Sequence, residues 1–200
     1  GIIEGTERPE EAVLYMGHWD HLGQGPADET GDDIYNGAVD NASGIAALIE
    51  MGEQFAANPP KRSVVLLAVT GEESGLLGSA YYADNPIVPL NKTVAGINMD
   101  ALNIIGRTKN VVVVGRGKSE LENVLEKHAA QQDRVVEAEP TPERGYFYRS
   151  DHFSLAKVGV PMLYAEGGMD HIEHGREWGQ AKADEYLSLI HISEPTRQIV

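Results

Sequence analysis

Hydrophobic positions along the chain follow two periods, and the switches between them mark its elements. Five short apolar runs have the length and β-branched content of buried strands. They are Ala12 to Met16, Ser63 to Val69, Thr93 to Met99, Val111 to Val114 and Val160 to Tyr164, with Val135-Val136 as a shorter sixth. Between them the apolar spacing becomes helical. Ile45, Ala46, Leu48, Ile49 and Met51 predict a helix from near Asn41 to about Ala57, which Asn58-Pro59-Pro60 stops because paired prolines cannot continue it. Leu76 to Tyr81 opens a second helix, ended near Asn85-Pro86. Ser119 starts a third that runs to about Gln131, with Glu122 as its capping-box partner. Ser150-Asp151-His152 caps a short fourth. The stretches from Gly25 to Asp33, from Thr141 to Arg149 and after Gly167-Gly168 read as loops, the second with three aromatic residues. Strands alternating with helices predict an α/β fold with a largely parallel sheet.

Composition narrows the chemistry. Two hundred residues suit one domain with a sizeable core. The net charge of −15, from 31 acidic and 16 basic residues, argues against nucleic acid and anionic membrane as partners. The absence of cysteine excludes disulfides and thiolate metal sites, so any metal must be held by His, Asp and Glu, a set that suits zinc, manganese or cobalt. No segment is long and apolar enough to span a membrane.

The chemistry concentrates where apolar runs end. Ser63 to Val69 runs into Thr70-Gly71-Glu72-Glu73-Ser74-Gly75. In open α/β sheets ligands bind at the carboxyl ends of strands, and two adjacent carboxylates there repel unless a cation or a proton intervenes. One can hold a metal while the other accepts a proton from water; the bland alternative is two solvated glutamates in a turn. The first strand ends in Gly17-His18-Trp19-Asp20, where His18 can ligate a metal and Asp20 can hold its other ring nitrogen. Asp40 lies among small residues in Asn36-Gly37-Ala38-Val39-Asp40-Asn41-Ala42-Ser43-Gly44, where helix capping is the competing role. The run from Thr93 ends at Asp100. Parallel strands end on one side of a sheet, so His18, Asp40, Glu73 and Asp100 should converge on one edge, with Glu72 left as an unligated carboxylate.

The same pieces carry a resemblance. Gly17 to Asp20, Asn36 to Gly44, Gly71 to Ser79, Asn98-Met99-Asp100, Tyr148 to Phe153 and Gly159-Val160-Pro161 resemble, in order, the co-catalytic zinc aminopeptidase family that includes bacterial leucyl aminopeptidase, aminopeptidase Y and glutamate carboxypeptidase II. The resemblance implies a three-layer α/β sandwich with a mixed, mostly parallel central sheet. It implies a zinc held by His18, Asp40 and Asp100, and a second zinc held by Glu73 and bridged by Asp40. Asp20 would orient His18, Glu72 would be the general base, and Ser150, Asp151 and His152 would line the substrate pocket. The implied function is a metallo-aminopeptidase that hydrolyses the amino-terminal bond of peptides with a dizinc-activated water. A glutaminyl-cyclase-like acyl transferase on a related fold, or a non-catalytic relative serving as a binding domain, are the alternatives.

One element of that pattern is missing. Family members are similar in placing a final His, a ligand of the second zinc, shortly after the segment matching Trp178 to Tyr186, and no such His is identifiable. From Leu187 to Arg197 the chain reads residue for residue as a translated sequencing-library adapter. The expectation is therefore a partial zinc-peptidase catalytic domain over residues 1–186 and a non-native tail over 187–200, with His191 accidental. The start at Gly1, just before a strand, reads as a truncated amino end. On that basis the second zinc site lacks its His, one zinc binds well, the other poorly, and the chain has little activity. His171 and His174 lie in the polar loop before Trp178, within reach of the site, but the resemblance assigns them no ligand role. Family members are often exported, which leans the expected localisation to periplasm or outside the cell.

Overall fold

The computed structural model describes residues 1–27 and 31–193, with side chains to residue 185. In chain order the elements are β1 (Ile2–Ile3), β2 (Arg8–His18), β3 (Gly23–Gln24), β4 (Ile34–Tyr35), α1 (Ser43–Ala57), β5 (Arg62–Val69), α2 (Leu77–Asp84), β6 (Thr93–Asn98), β7 (Asn110–Val113), α3 (Leu121–Ala130), β8 (Val135–Ala138), α4 (His152–Ala156), β9 (Met162–Gly167) and α5 (Gly175–Ser193). Seven strands form one sheet in the order β1-β5-β2-β6-β9-β7-β8. The four central strands, β5, β2, β6 and β9, are parallel. β1 joins β5 antiparallel, β7 joins β9 antiparallel, and β8 runs parallel to β7. The sheet is mixed and mostly parallel, as its pattern predicts.

Period-2 alternation in β2 assigns the layers. Ala12, Leu14 and Met16 are fully buried and belong to one core cluster with Val65, Val69, Tyr82, Ala83, Leu155, Val160 and Met162. That face is covered by α2 and α4, which supply Tyr82, Ala83 and Leu155. The alternate residue Tyr15 meets Phe55 of α1, with ring centroids 5.6 Å apart, so α1 covers the opposite face. Helices on both faces leave the carboxyl edge of the parallel strands as the place where polar groups can gather.

Register fixes that edge. His18 stands level with Val69 across the β2–β5 pair, and Met16 stands level with Asn98 across β2–β6. Asp100, two residues past Asn98, therefore comes level with His18.

Asn41 ties the edge together. It is 1% exposed. Its Nδ2 donates to Met99 O at 2.9 Å, and its Oδ1 accepts from Gly44 N at 3.0 Å and Ala101 N at 3.1 Å. The Asp40–Asn41 peptide is cis. A Cβ at Gly44 would stand 2.5 Å from Asn41 Oδ1 and 2.6 Å from Met99 O, so only glycine lets α1 approach this closely. Of the pair read as helix caps, Asn41 satisfies a first-turn amide, which leaves the Asp40 carboxylate for other work. Asn41→Ala orphans a carbonyl and two amides, and is expected to cost about 3 kcal/mol. Urea unfolding in the presence of a chelator measures it; a loss below about 1 kcal/mol would contradict this role.

Other expectations differ in detail. Half of the capping box is present at α3: Glu122 Oε1 accepts from Gly117 N at 2.7 Å and reaches back to Ser119 N at 3.5 Å, while Ser119 Oγ accepts from Leu121 N at 3.2 Å and not from Glu122 N. At α4, in contrast, Asp151 occupies the N-cap position without a side-chain capping bond. The two-stranded β3–β4 pair brackets the Gly- and Asp-rich loop on either side, and the polar stretch after Gly168 contains α5. Residues 187–193 of the expected tail lie within α5, while residues 194–200 and the side chain of His191 lie outside the described residues. No helix among the described residues is long and apolar enough to cross a membrane.

Candidate metal centre

The turn after β5 is a knot of backbone hydrogen bonds. Gly75 N and Leu76 N both donate to Glu72 O at 3.0 Å, Leu77 N to Gly71 O at 3.0 Å, and Gly78 N to Thr70 O at 2.8 Å. It holds Glu72 and Glu73 rigidly at the head of α2.

Across the edge, His18 is 1% exposed. Its Nδ1 lies 2.9 Å from the backbone carbonyl of Asp20, whereas the Asp20 carboxylate stands 3.9 Å away. The Asp20 main chain, not its side chain, holds the ring. This corrects the carboxylate role read from the sequence; Asp20 Oδ1 is buried and accepts no hydrogen bond. A carbonyl can only accept, so the ring proton belongs on Nδ1 and Nε2 faces the carboxylates. Nε2 lies 3.1 Å from Asp100 Oδ1, in line for a hydrogen bond, and 3.0 Å from Asp40 Oδ1. Asp40 Oδ1 is itself buried without a hydrogen bond.

His18, Asp40 and Asp100 thus form one compact ligand group. A second consists of His21, Asp40 and Glu73, in which His21 Nδ1 lies 3.1 Å from Glu73 Oε1. Asp40 belongs to both. His21 is the residue that the sequence reading missed. Its signal was the spacing His18-x-x-His21 in a tight strand-end loop, which brings two imidazoles to one edge.

Electrostatics demand positive charge here. Burial lowers the affinity of His18 for a proton, but the Asp100 and Asp40 carboxylates outweigh it and push the imidazole up to about 11. Burial, then the charge of Asp100, pushes Glu72 up to about 9, against the opposing pull of His18; Glu73 and Asp151 add to the rise. Glu72 is 6% exposed. Buried carboxylates at this density are stabilised by protons or by a cation.

The residues fit a divalent metal. Ligand atoms around a tetrahedral zinc stand about 3.3 Å apart when each lies about 2.0–2.1 Å from the ion. The separations of 3.0 and 3.1 Å among the His18, Asp40 and Asp100 atoms, and of 3.1 Å between His21 and Glu73, are within a few tenths of that value. Imidazole with carboxylates is also the donor set that zinc, manganese and cobalt accept.

Ser150, Asp151 and His152 were expected to line a pocket. They are buried instead, at 3%, 1% and 0% exposure. Ser150 Oγ donates to Asp100 Oδ2 at 2.6 Å and accepts from Asn98 Nδ2 at 2.7 Å, so it holds Asp100 in place. Burial pushes Asp151 up to about 6 and His152 down to about 4. The His152 ring packs against Phe147 and Tyr164, each at a centroid distance of 4.8 Å. His171 and His174 stack on each other and meet Trp178 at tilted angles, and neither belongs to a metal-type group among the described residues.

Residues 1–194 match the family model described as Peptidase family M28. A protein of Pyrenophora tritici-repentis (strain Pt-1C-BFP), described as a probable zinc metalloprotease, is 37% identical over 107 residues, covering 54% of this chain and 24% of that protein. The structure of BSAP, a zinc aminopeptidase from Bacillus subtilis, is similar with a TM-score of 0.63 at 18% identity, over 100% of this chain and 50% of that one. Porphyromonas gingivalis glutaminyl cyclase is similar with a TM-score of 0.61 at 22% identity, over 85% and 64%. The match spans about a quarter of the curated relative and about half of BSAP.

Proposed function

The chain belongs to peptidase family M28, and from that premise we propose that it is a zinc-dependent aminopeptidase with peptide amino termini as its substrates. The observation that carries this reading is the convergence of His18, Asp40 and Asp100 on the carboxyl edge of the sheet, beside a buried Glu72. His18, Asp40 and Asp100 would hold one ion, and Asp40 and Glu73 would take part in holding another. An ion bound there supplies Lewis acidity, which acidifies a water and polarises the scissile carbonyl.

The remaining work belongs to the chain. Glu72 accepts the water's proton and returns it to the leaving amine. Its high proton affinity suits the second half of that exchange, and positive charge in the cluster lowers it enough for the first. The Asp20 carbonyl fixes the His18 tautomer, and Ser150 with Asn98 fixes the Asp100 carboxylate, so neither ligand reorients during turnover. The acidic edge also attracts the ammonium of a free amino terminus, which favours exopeptidase over endopeptidase action.

A second reading is acyl transfer of the glutaminyl cyclase kind, favoured by the fold likeness to such an enzyme. A panel of aminoacyl anilides, run alongside a peptide with amino-terminal glutamine, separates the two. The expected result is zinc-dependent release of anilide that a chelator abolishes and added zinc restores. Cyclisation of the glutamine without release from any anilide would replace the aminopeptidase reading with the cyclase one.

A further inference from the structure

We infer that His21 is a protein ligand of a second metal subsite, which it shares with Glu73 and with Asp40. The inference deepens the metallopeptidase reading and rests on it. Asp40 and Glu73 give this subsite two carboxylates, and catalytic zinc normally takes at least three protein ligands. The fold supplies the third from an unexpected direction. β2 ends at His18, and the loop that follows turns His21 back toward the Glu72-Glu73 turn, 52 residues further along the chain. His21 Nδ1 reaches 3.1 Å from Glu73 Oε1, and the ligand atoms of His21, Asp40 and Glu73 all lie within 4.8 Å of one another.

The placement is built. The side chains of His21 and Glu73 are only 13% and 14% exposed, so the imidazole is lodged in the site and not on the surface. Gly37 adopts φ +62°, and a Cβ there would stand 2.7 Å from His21 Cβ and 3.0 Å from the Asp40 carbonyl oxygen. The segment carrying Asp40 can therefore lie against His21 only because residue 37 has no side chain.

The two subsites then have matching composition. Each has one imidazole, His18 or His21, and one carboxylate of its own, Asp100 or Glu73, and Asp40 serves both.

The test counts ions. The zinc- and cobalt-free chain is titrated with Zn2+ by calorimetry and with Co2+ by visible ligand-field absorption, for the native chain, His21→Ala and His21→Gln. The native chain is expected to bind two ions. Both variants should keep one at native affinity and hold the other at least about 100-fold more weakly, with the cobalt absorption per chain cut by about half. The glutamine variant keeps much of the bulk of the ring, so it reads the result if the alanine variant fails to fold. Two ions bound with native affinity by His21→Gln would overturn the inference. A native chain that binds a single ion, unaffected by His21→Gln, would also overturn it while leaving the first subsite and the peptidase reading intact. A native chain that binds no ion would overturn both.

Discussion

Asp40→Asn strips the chain of metal at both subsites in one step. The substitution keeps the size of the side chain but removes its charge and one acceptor oxygen. Asp40 is the only residue common to the two ligand groups among the described residues. Its Oδ1 lies 3.0 Å from His18 Nε2 and accepts no hydrogen bond, so a neutral amide has no protein partner there to replace an ion. An amide oxygen binds zinc far more weakly than a carboxylate, and the loss is expected to reach at least about 100-fold at each subsite. Asp100→Asn and Glu73→Gln are the controls. Each should weaken one ion and spare the other, because each belongs to one group only. Metal content after dialysis against graded zinc buffers gives the answer. Retention of one full-affinity ion by Asp40→Asn would show that the subsites do not share this carboxylate.

Glu72→Gln has two effects of opposite kind, and together they distinguish a proton carrier from a ligand. Metal binding should survive, since Glu72 belongs to neither ligand group. Turnover should fall by about 10²–10⁴-fold, the range for losing a positioned general base. The second effect is on stability without metal. Glu72 carries a folded-state pKa of about 9 against an ordinary 4.5. Between those values the unfolded chain has released a proton that the folded chain still holds. Native stability therefore falls as pH rises from 4.5 to 9, and the penalty is absent below 4.5. A glutamine in place of Glu72 is a neutral isostere and removes that slope. At about pH 8 the metal-free variant should be more stable than the parent by a few kcal/mol, and at about pH 4 the two should match. Denaturant unfolding at both pH values, with chelator present, measures the pair. A variant destabilised equally at both would mean that Glu72 holds the structure together and its proton is incidental.

Much of this arrangement was legible because strands advertise themselves twice. Their apolar runs gave their extent, and the carboxylates and histidine at their ends gave the edge. His18 and Asp100 could be placed together because parallel strands in one sheet must end side by side, whereas Asp40 reaches the same edge from the turn that leads into α1. What escaped notice depends on direction, not on residue type. Asp20 follows His18 at the spacing of an orienting carboxylate, yet the backbone turns so that its carbonyl makes the contact. Asn41 looked like a helix cap and does accept from a first-turn amide, but it is also a bracket between α1 and the end of β6. His21 was missed because its partners are 19 and 52 residues away, and its one local signal, the spacing from His18, does not show which way the loop turns. α5 lacked a clear apolar stripe, and a helix without one leaves little trace in a pattern.

The register of β2 has a kinetic consequence. His18 and Asp100 are 82 residues apart in sequence and meet only when β2 has paired with β6 in the correct alignment. Loop closure over that distance precedes any gain from the contact, so no assembled ligand group exists in the unfolded chain. An ion that prefers the assembled group acts as a clasp applied after folding, and the clasp joins β2 to the end of β6 and to the turn before α1. Its grip on the native state appears as slower opening and not as faster collapse, so the lifetime of the folded chain follows the free metal concentration around it.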